Sequence, residues 1–161
     1  MGFTKVFDYA GGKADWLASG LPTEGKLAGT PRAGDLARTD VLTCELTDRL
    51  GDVWERTEGS DADQCVVINK ENVVLGRLRR GAIDSNLEAT VEAVMESGPS
   101  TFRPSVPLEE MAEYMTKRAM ADALITTSDG VLLGVLYRKD IEQAMEGKRA
   151  KSLTRSIYGK K

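Results

Sequence analysis

The sequence predicts a mixed α/β (α+β) fold made of two β-α-β-β-α units behind a short strand-helix segment. The first observation is an internal repeat: residues 43–83 lie against residues 101–141 at a shift of 58 with no gap. Within it, VVLGRLRRGAI (73–83) and VLLGVLYRKDI (131–141) share six of eleven residues. The second is periodicity, since each copy sets one stretch of helical i, i+3, i+4, i+7 spacing among short apolar runs of strand length. The third is length: 161 residues suffice for two small units packed together, neither of which needs a full core of its own.

Each copy reads in the same order. A small helix leads, Gly34 to Ala37 and Thr90 to Met95, followed by a short extended piece, Leu42 to Glu45 and Ser100 to Arg103. A hydroxyl residue, Thr47 or Ser105, is placed to cap the next helix. That helix carries one apolar face, Leu50, Val53 and Trp54 in copy one and Leu108, Met111, Ala112 and Met115 in copy two. Pro107 falls in its first turn, where a missing N–H does no harm. An apolar strand follows, Cys65 to Ile68 or Ala123 to Thr126. Lys70-Glu71-Asn72 and Ser128-Asp129-Gly130 suit hairpin turns, and second strands run Val73 to Arg79 and Val131 to Tyr137. A closing helix starts near Gly81 or Lys139. At the N-terminus a strand, Thr4 to Tyr9, leads through Gly11-Gly12 into a helix over 13–19 with Trp16 and Leu17, which stops at Gly20-Leu21-Pro22.

Composition narrows the function. Hydrophobic residues make up 41% and charged residues 29%, ordinary values for a globular chain. The absence of histidine excludes Ser-His-Asp and Cys-His catalysis and any Cys2His2 metal site. No GxxxxGK[ST] or GxGxxG loop is present. No apolar run approaches the roughly 18–20 residues of a membrane span, and no signal peptide is visible. Two cysteines make no disulfide framework, so reduced thiols and a cytoplasmic location are expected. A net charge of −3 does not point to nucleic acid.

TVEAVMESGPSTFRPSVPLEEMAEYM (90–115) and DGVLLGVLYRKDIEQAM (129–145) carry a Val-x-x-x-Met lead, a strand, a Pro-x-x-x-Leu-Glu-Glu helix start and a D-G-x-L-x-G-x-x-x-x-x-D run. In these features the chain resembles a tandem pair of CBS domains, with copy one (Asp35 to Ile83) the more degenerate. The resemblance implies repeats at 30–88 and 89–148, packed through their sheets as a pseudo-twofold pair. It implies a non-enzymatic regulatory module, homodimeric through its helices. Such a module needs no cofactor and binds an adenosyl ligand (AMP, ADP, ATP or S-adenosylmethionine) in the cleft between copies. The alternative is a ligand-free scaffold for dimerisation or partner binding.

The family's ligand motif, Gly-h-h-Thr/Ser-x-x-Asp with h an apolar residue, falls on Gly134 to Asp140. By resemblance Asp140 accepts hydrogen bonds from ribose hydroxyls, a task that suits an acceptor-only carboxylate. Arg138 and Lys139, with Arg77, Arg79 and Arg80 from the other copy, offer charge for phosphates. Thr101, Phe102, Ala123 and Leu124 are expected to line the base slot. Tyr137 stands where the family has a small hydroxyl residue, so its ring either stacks on a base or blocks the slot. Ala82 stands at the aspartate position of copy one, which leaves one complete site. Asp140 also suits a helix first turn through the helix dipole alone, and the three arginines also suit a solvated strand edge.

The GG…W…GLP run of residues 1–25 resembles the closing segment of a rhodanese domain, as a remnant or as the end of a longer chain with an earlier start. Cys44 and Arg49 have the C-x4-R spacing of a rhodanese loop. The cysteine follows the closing segment instead of preceding it, and the loop lacks the small residues that converge backbone N–H groups on a persulfide. Cys44 aligns with Phe102 and Cys65 with Ala123, so both read as buried core thiols. Trp16 is the candidate contact with a protein partner. The tail, 149–161, is basic and free of acidic residues, which suits a contact with phosphates or an acidic partner and equally a solvated terminus; the acidity of the rest argues against a general nucleic-acid binder.

Overall fold

The computed structural model describes Trp16, Leu21 and residues 29–58, 64–83 and 86–147. Apart from Trp16 and Leu21, the expected strand 4–9, helix 13–19 and rhodanese-like segment 1–25 lie outside the described residues, as does the tail 149–161. Trp16 is helical and half-buried, and its carbonyl accepts a hydrogen bond from Leu21 N–H at 3.3 Å.

In chain order the elements are α1 (Ala33–Leu36), β1 (Thr43–Cys44), α2 (Leu50–Thr57), β2 (Gln64–Ile68), β3 (Val74–Arg79), α3 (Arg80–Ile83), α4 (Val91–Val94), β4 (Glu96–Ser97), β5 (Thr101–Phe102), α5 (Leu108–Lys117), β6 (Asp122–Thr126), β7 (Leu132–Tyr137) and α6 (138–147). They form a four-stranded sheet, β1-β2-β3-β4, and a three-stranded sheet, β5-β6-β7. In each, the first pair is parallel and the hairpin antiparallel. A bulge falls at Val67/Ile68 in one hairpin and at the matching Ile125/Thr126 in the other. The turns match too: Asn72 (φ 59°) and Gly130 (φ 83°) take the left-handed position. Glycine reaches it freely and asparagine tolerates it.

The lead segments are exchanged. Arg38, just after α1, pairs with Val135 of β7 in copy two, N–H to O at 2.8 Å and 2.9 Å in the two directions. β4, just after α4, pairs with β3 of copy one, Glu96 opposite Arg77. The cores follow. Ala33 is wholly buried with Leu108, Met111, Met115 and Leu136 of copy two, and Val91 with Leu50, Val53 and Leu78 of copy one. Gly134 permits the close approach, because a Cβ there would stand 2.5 Å from the Arg38 carbonyl oxygen.

This exchange also moves the helix starts. Neither Thr47 nor Ser105 caps a helix; α2 follows Arg49 and α5 follows Pro107, with no side-chain cap on either. The first-turn donors are satisfied by the chain that leads into the other copy. Leu50 N–H donates to Ala89 O and Leu108 N–H to Pro31 O, each at 2.9 Å. The orphan groups of a helix end need a partner, not necessarily a side chain.

The two sheets meet through Val66, Leu124 and Val135, all wholly buried. Arg77 lies beside this contact and corrects the strand-edge reading. It is 8% exposed, its Nη2 stands 3.0 Å from Asp122 Oδ2, and β4 covers the edge that would have been free. Gln64 Nε2 donates to the same Asp122 oxygen at 2.9 Å. Cys44 and Cys65 are buried beneath α2. The hydrogen bond with Cys44, and then burial, push the Cys65 thiol above its ordinary pKa. Among the described residues no helix is long and apolar enough to cross a membrane.

Candidate functional site

The exchanged lead puts Arg38 at the end of β7, where α6 begins. Its backbone is fixed by the Val135 bridge, so its side chain runs toward the first turn of α6 and meets Asp140. The contact is a two-pronged fork: Nε donates to Oδ2 and Nη2 to Oδ1, both at 2.7 Å. This is the short, planar geometry of a strong guanidinium–carboxylate pair. The hydrogen bond to Asp140, and then its charge, raise the Arg38 pKa above its ordinary value. The Asp140 side chain is 14% exposed and that of Arg38 47%.

Tyr137 lies under two cations. The Arg38 guanidinium carbon is 5.1 Å from its ring centroid and Lys139 Nζ is 5.4 Å away. Arg138 turns along α6 to Glu142, Nε to Oε1 at 3.5 Å.

An open cleft of about 340 Å³ lies between the copies. Thr39, Val41 and Thr43 line it from the lead of copy one, Leu132, Leu133 and Gly134 from β7 of copy two, and Asn72 from the copy-one turn. Thr39 follows Arg38 in the chain, and the Arg38–Asp140 pair is not part of the lining. Leu133 is 37% exposed, a large apolar side chain open to solvent. The volume falls within the roughly 300–1,000 Å³ of small-molecule pockets. Among the described residues no three cysteine, aspartate or glutamate side chains group as a metal would need.

Of the residues expected from sequence, Tyr137, Lys139 and Asp140 come together here, with Arg138 adjacent. The expected base-slot residues do not line the cleft. Thr101 and Phe102 lie on β5, in register with Leu124 and Ile125. Phe102 packs edge-on to Tyr114 at 5.1 Å. Ala123 is wholly buried in the copy-two core and Leu124 between the sheets. Thr39, Val41 and Thr43 line it instead, and Arg38 pairs with Asp140; the sequence reading missed all four. The repeat itself held the available signal: a lead segment standing apart from its copy is free to pair with either one.

The matching position on the other copy is built differently. Glu96 stands where Arg38 does, Arg79 where Tyr137 does and Ala82 where Asp140 does. Arg79 Nε reaches Glu96 Oε1 at 3.0 Å, and Arg80 lies 5.6 Å over the Trp54 ring. No carboxylate is offered from α3.

Residues 91–147 match the family model described as the CBS domain. Among solved structures, the chain is similar to the CBS domains of a transcriptional regulator from Streptococcus pneumoniae, with 21% identity over 70% of this chain and 97% of that one and a TM-score of 0.63. It is similar to CBSX2, a CBS-pair protein from Arabidopsis thaliana, in complex with AMP, with 17% identity over 74% and 98% and a TM-score of 0.66. It is also similar to the CBS domain pair of protein MJ0100 in complex with 5′-methylthioadenosine and S-adenosyl-L-methionine, with 14% identity over 74% and 98% and a TM-score of 0.63. No curated protein matches the chain.

Proposed function

We propose that this chain, with a CBS domain in its second copy and the fold of CBS pairs, is a regulatory module that binds an adenosyl ligand in the cleft between its copies. The observation that carries the reading is Asp140, a carboxylate at a helix start paired with a half-exposed arginine from the other copy. Ribose hydroxyls can replace the arginine, because both carboxylate oxygens accept and two adjacent O–H groups donate. The base then lies toward Thr39, Thr43 and Gly134, against Val41 and Leu133. Structures of similar fold have been solved with AMP and with S-adenosyl-L-methionine, which supports the ligand class.

Regulation follows from the exchange. A ligand between the Arg38 segment and β7 touches both copies, and it shifts their arrangement by as much as it prefers one arrangement over another. No catalytic step is part of this reading. A homodimer through the helices, a cytoplasmic setting and a partner contact near Trp16, within a rhodanese-like remnant, complete it.

The second reading, a ligand-free scaffold, is favoured by one observation: Arg38 already satisfies Asp140. Titration calorimetry with AMP, ADP, ATP and S-adenosylmethionine separates the two. A module gives saturable heat for at least one compound, and Asp140→Ala weakens it by about tenfold or more, the worth of two charge-assisted hydrogen bonds. Silence with all four compounds leaves the scaffold.

A further inference from the structure

We infer that an apolar pocket on copy two is the docking site of the chain's own basic tail, residues 148–161. The pocket holds about 100 Å³ and lies where the lead of copy one, the start of α5 and the end of α6 meet. Pro31, Leu36, Leu108, Ala144 and Met145 give it apolar walls, and Asp35 and Glu109 stand exposed beside them. It is well below the roughly 300–1,000 Å³ of small-molecule pockets, so its fitting occupant is a side chain of a peptide. The surroundings are acidic. Glu109 and Glu110 on α5 and Glu146 on α6 are exposed, and among the described residues none of the three is in an ion pair, whereas Glu113 holds Lys117 and Glu142 holds Arg138. Arg32 alone of the lining residues is cationic.

The tail has the complementary chemistry. It carries Lys148, Arg149, Lys151, Arg155, Lys160 and Lys161 and no acidic residue. Ala150, Leu153 and Ile157 fall at i, i+3 and i+7, one apolar stripe of a helical pattern. That stripe does not continue α6. At about 100° per residue, the inner face of α6, which carries Ile141, Ala144 and Met145, would run on through Lys148, Ser152 and Arg155. The apolar stripe would then point roughly 150° away from the core. Burying it takes another apolar surface, and the pocket is at hand, because Met145 lines it and α6 runs to Gly147. Eight residues separate Met145 from Leu153, a reach of up to about 26–29 Å, so a chain turning back from Gly147 arrives there. Leu153 or Ile157 then fills the pocket, and the basic residues face Glu109, Glu110 and Glu146. Docked in this way, the tail pairs its cations with the chain's own acidic face and withdraws them from phosphates. The inference does not depend on the adenosyl reading.

Methyl-resolved NMR on the full chain tests the docking. Nuclear Overhauser contacts are expected from the Leu153 or Ile157 methyls to those of Leu36, Leu108 or Met145, and a sample mixed from two labelling patterns should place them within one molecule. Leu153→Asp, a change in the tail alone, should move the Leu36, Leu108 and Met145 methyls. Glu109→Lys should lower the docked fraction, read from those same methyls, by about threefold or more, and raising the salt from about 0.1 M to about 1 M should lower it too, since exposed charge pairs are screened. Thermal unfolding confirms that each variant folds. Pocket methyls left unmoved by Leu153→Asp overturn the inference. So do contacts found only between molecules, which make the pocket a site for a second copy, and contacts from Leu27, which give it to the segment ahead of Gly29. A docked fraction indifferent to both Glu109→Lys and salt overturns it as well, because the charge pairing is what selects the tail.

Discussion

Asp122→Asn should destabilise the chain by about 3 kcal/mol, while Arg77→Met combined with Asp122→Asn should fall within about 1 kcal/mol of wild type. The ion pair sits between the copies, with Arg77 and Asp122 side chains only 9% and 14% exposed. At 3.0 Å and an effective dielectric near 20, two unit charges attract by about 5 kcal/mol. Desolvation of the two ions, several kcal/mol each, offsets most of that. The intact pair is therefore worth little beyond a neutral filling. A single loss is different, because it leaves a guanidinium buried without its Asp122 counter-charge, and among the described residues Arg77 Nε already has no hydrogen-bond partner. Asparagine keeps the shape and the contact with Gln64, so the loss measures charge and not a cavity. The repeat itself supplies the precedent for a neutral interface: the residues matching Arg77 and Asp122 are Val135 and Gln64. Urea unfolding of the wild type, both single variants and the double variant closes the cycle. For a chain this size the single loss corresponds to a fall in Tm of roughly 6–12 °C. A single variant within 1 kcal/mol of wild type, or a double variant as weak as the single, would refute the reasoning.

Other outcomes follow from the same geometry. Gly134→Ala drives a Cβ to 2.5 Å from the Arg38 carbonyl oxygen and must part the lead segment from β7, so a loss of about 2–4 kcal/mol is expected in thermal unfolding. Gly76→Ala should cost less, since its Cβ meets the flexible Met95 sulfur at 2.7 Å and the Glu96 carbonyl oxygen at 2.9 Å, a smaller backbone overlap than at Gly134. Met115→Ala empties a wholly buried place in the copy-two core and should cost about 2–5 kcal/mol by urea unfolding.

Much of this architecture was legible in the repeat. The hairpins appear where polar turns interrupt apolar runs, and the shift of 58 carries even the bulges and the left-handed turn residues. The exchange was not legible, because an apolar lead such as Ala33 or Val91 satisfies either copy equally well on paper. The rest depends on it. Thr47 and Ser105 looked like caps because a helix start needs acceptors, yet backbone carbonyls from the exchanged chain supply them. Arg77 looked like an outward side chain of an exposed strand, and its partner Asp122 lies 45 residues away at the start of β6. Asp140 and Tyr137 are singled out by the motif, whereas Arg38 has no motif and is visible only through the bridge that brings it to β7.

Methyl-resolved NMR during a titration with AMP tests the central claim most directly. Saturable shifts are expected at Val41, Thr39, Thr43, Leu132 and Leu133, methyl-bearing residues of the cleft, with their loss in Asp140→Ala. Unmoved methyls at saturating AMP, or shifts confined to the matching positions Val74, Leu75 and Thr101, would contradict it.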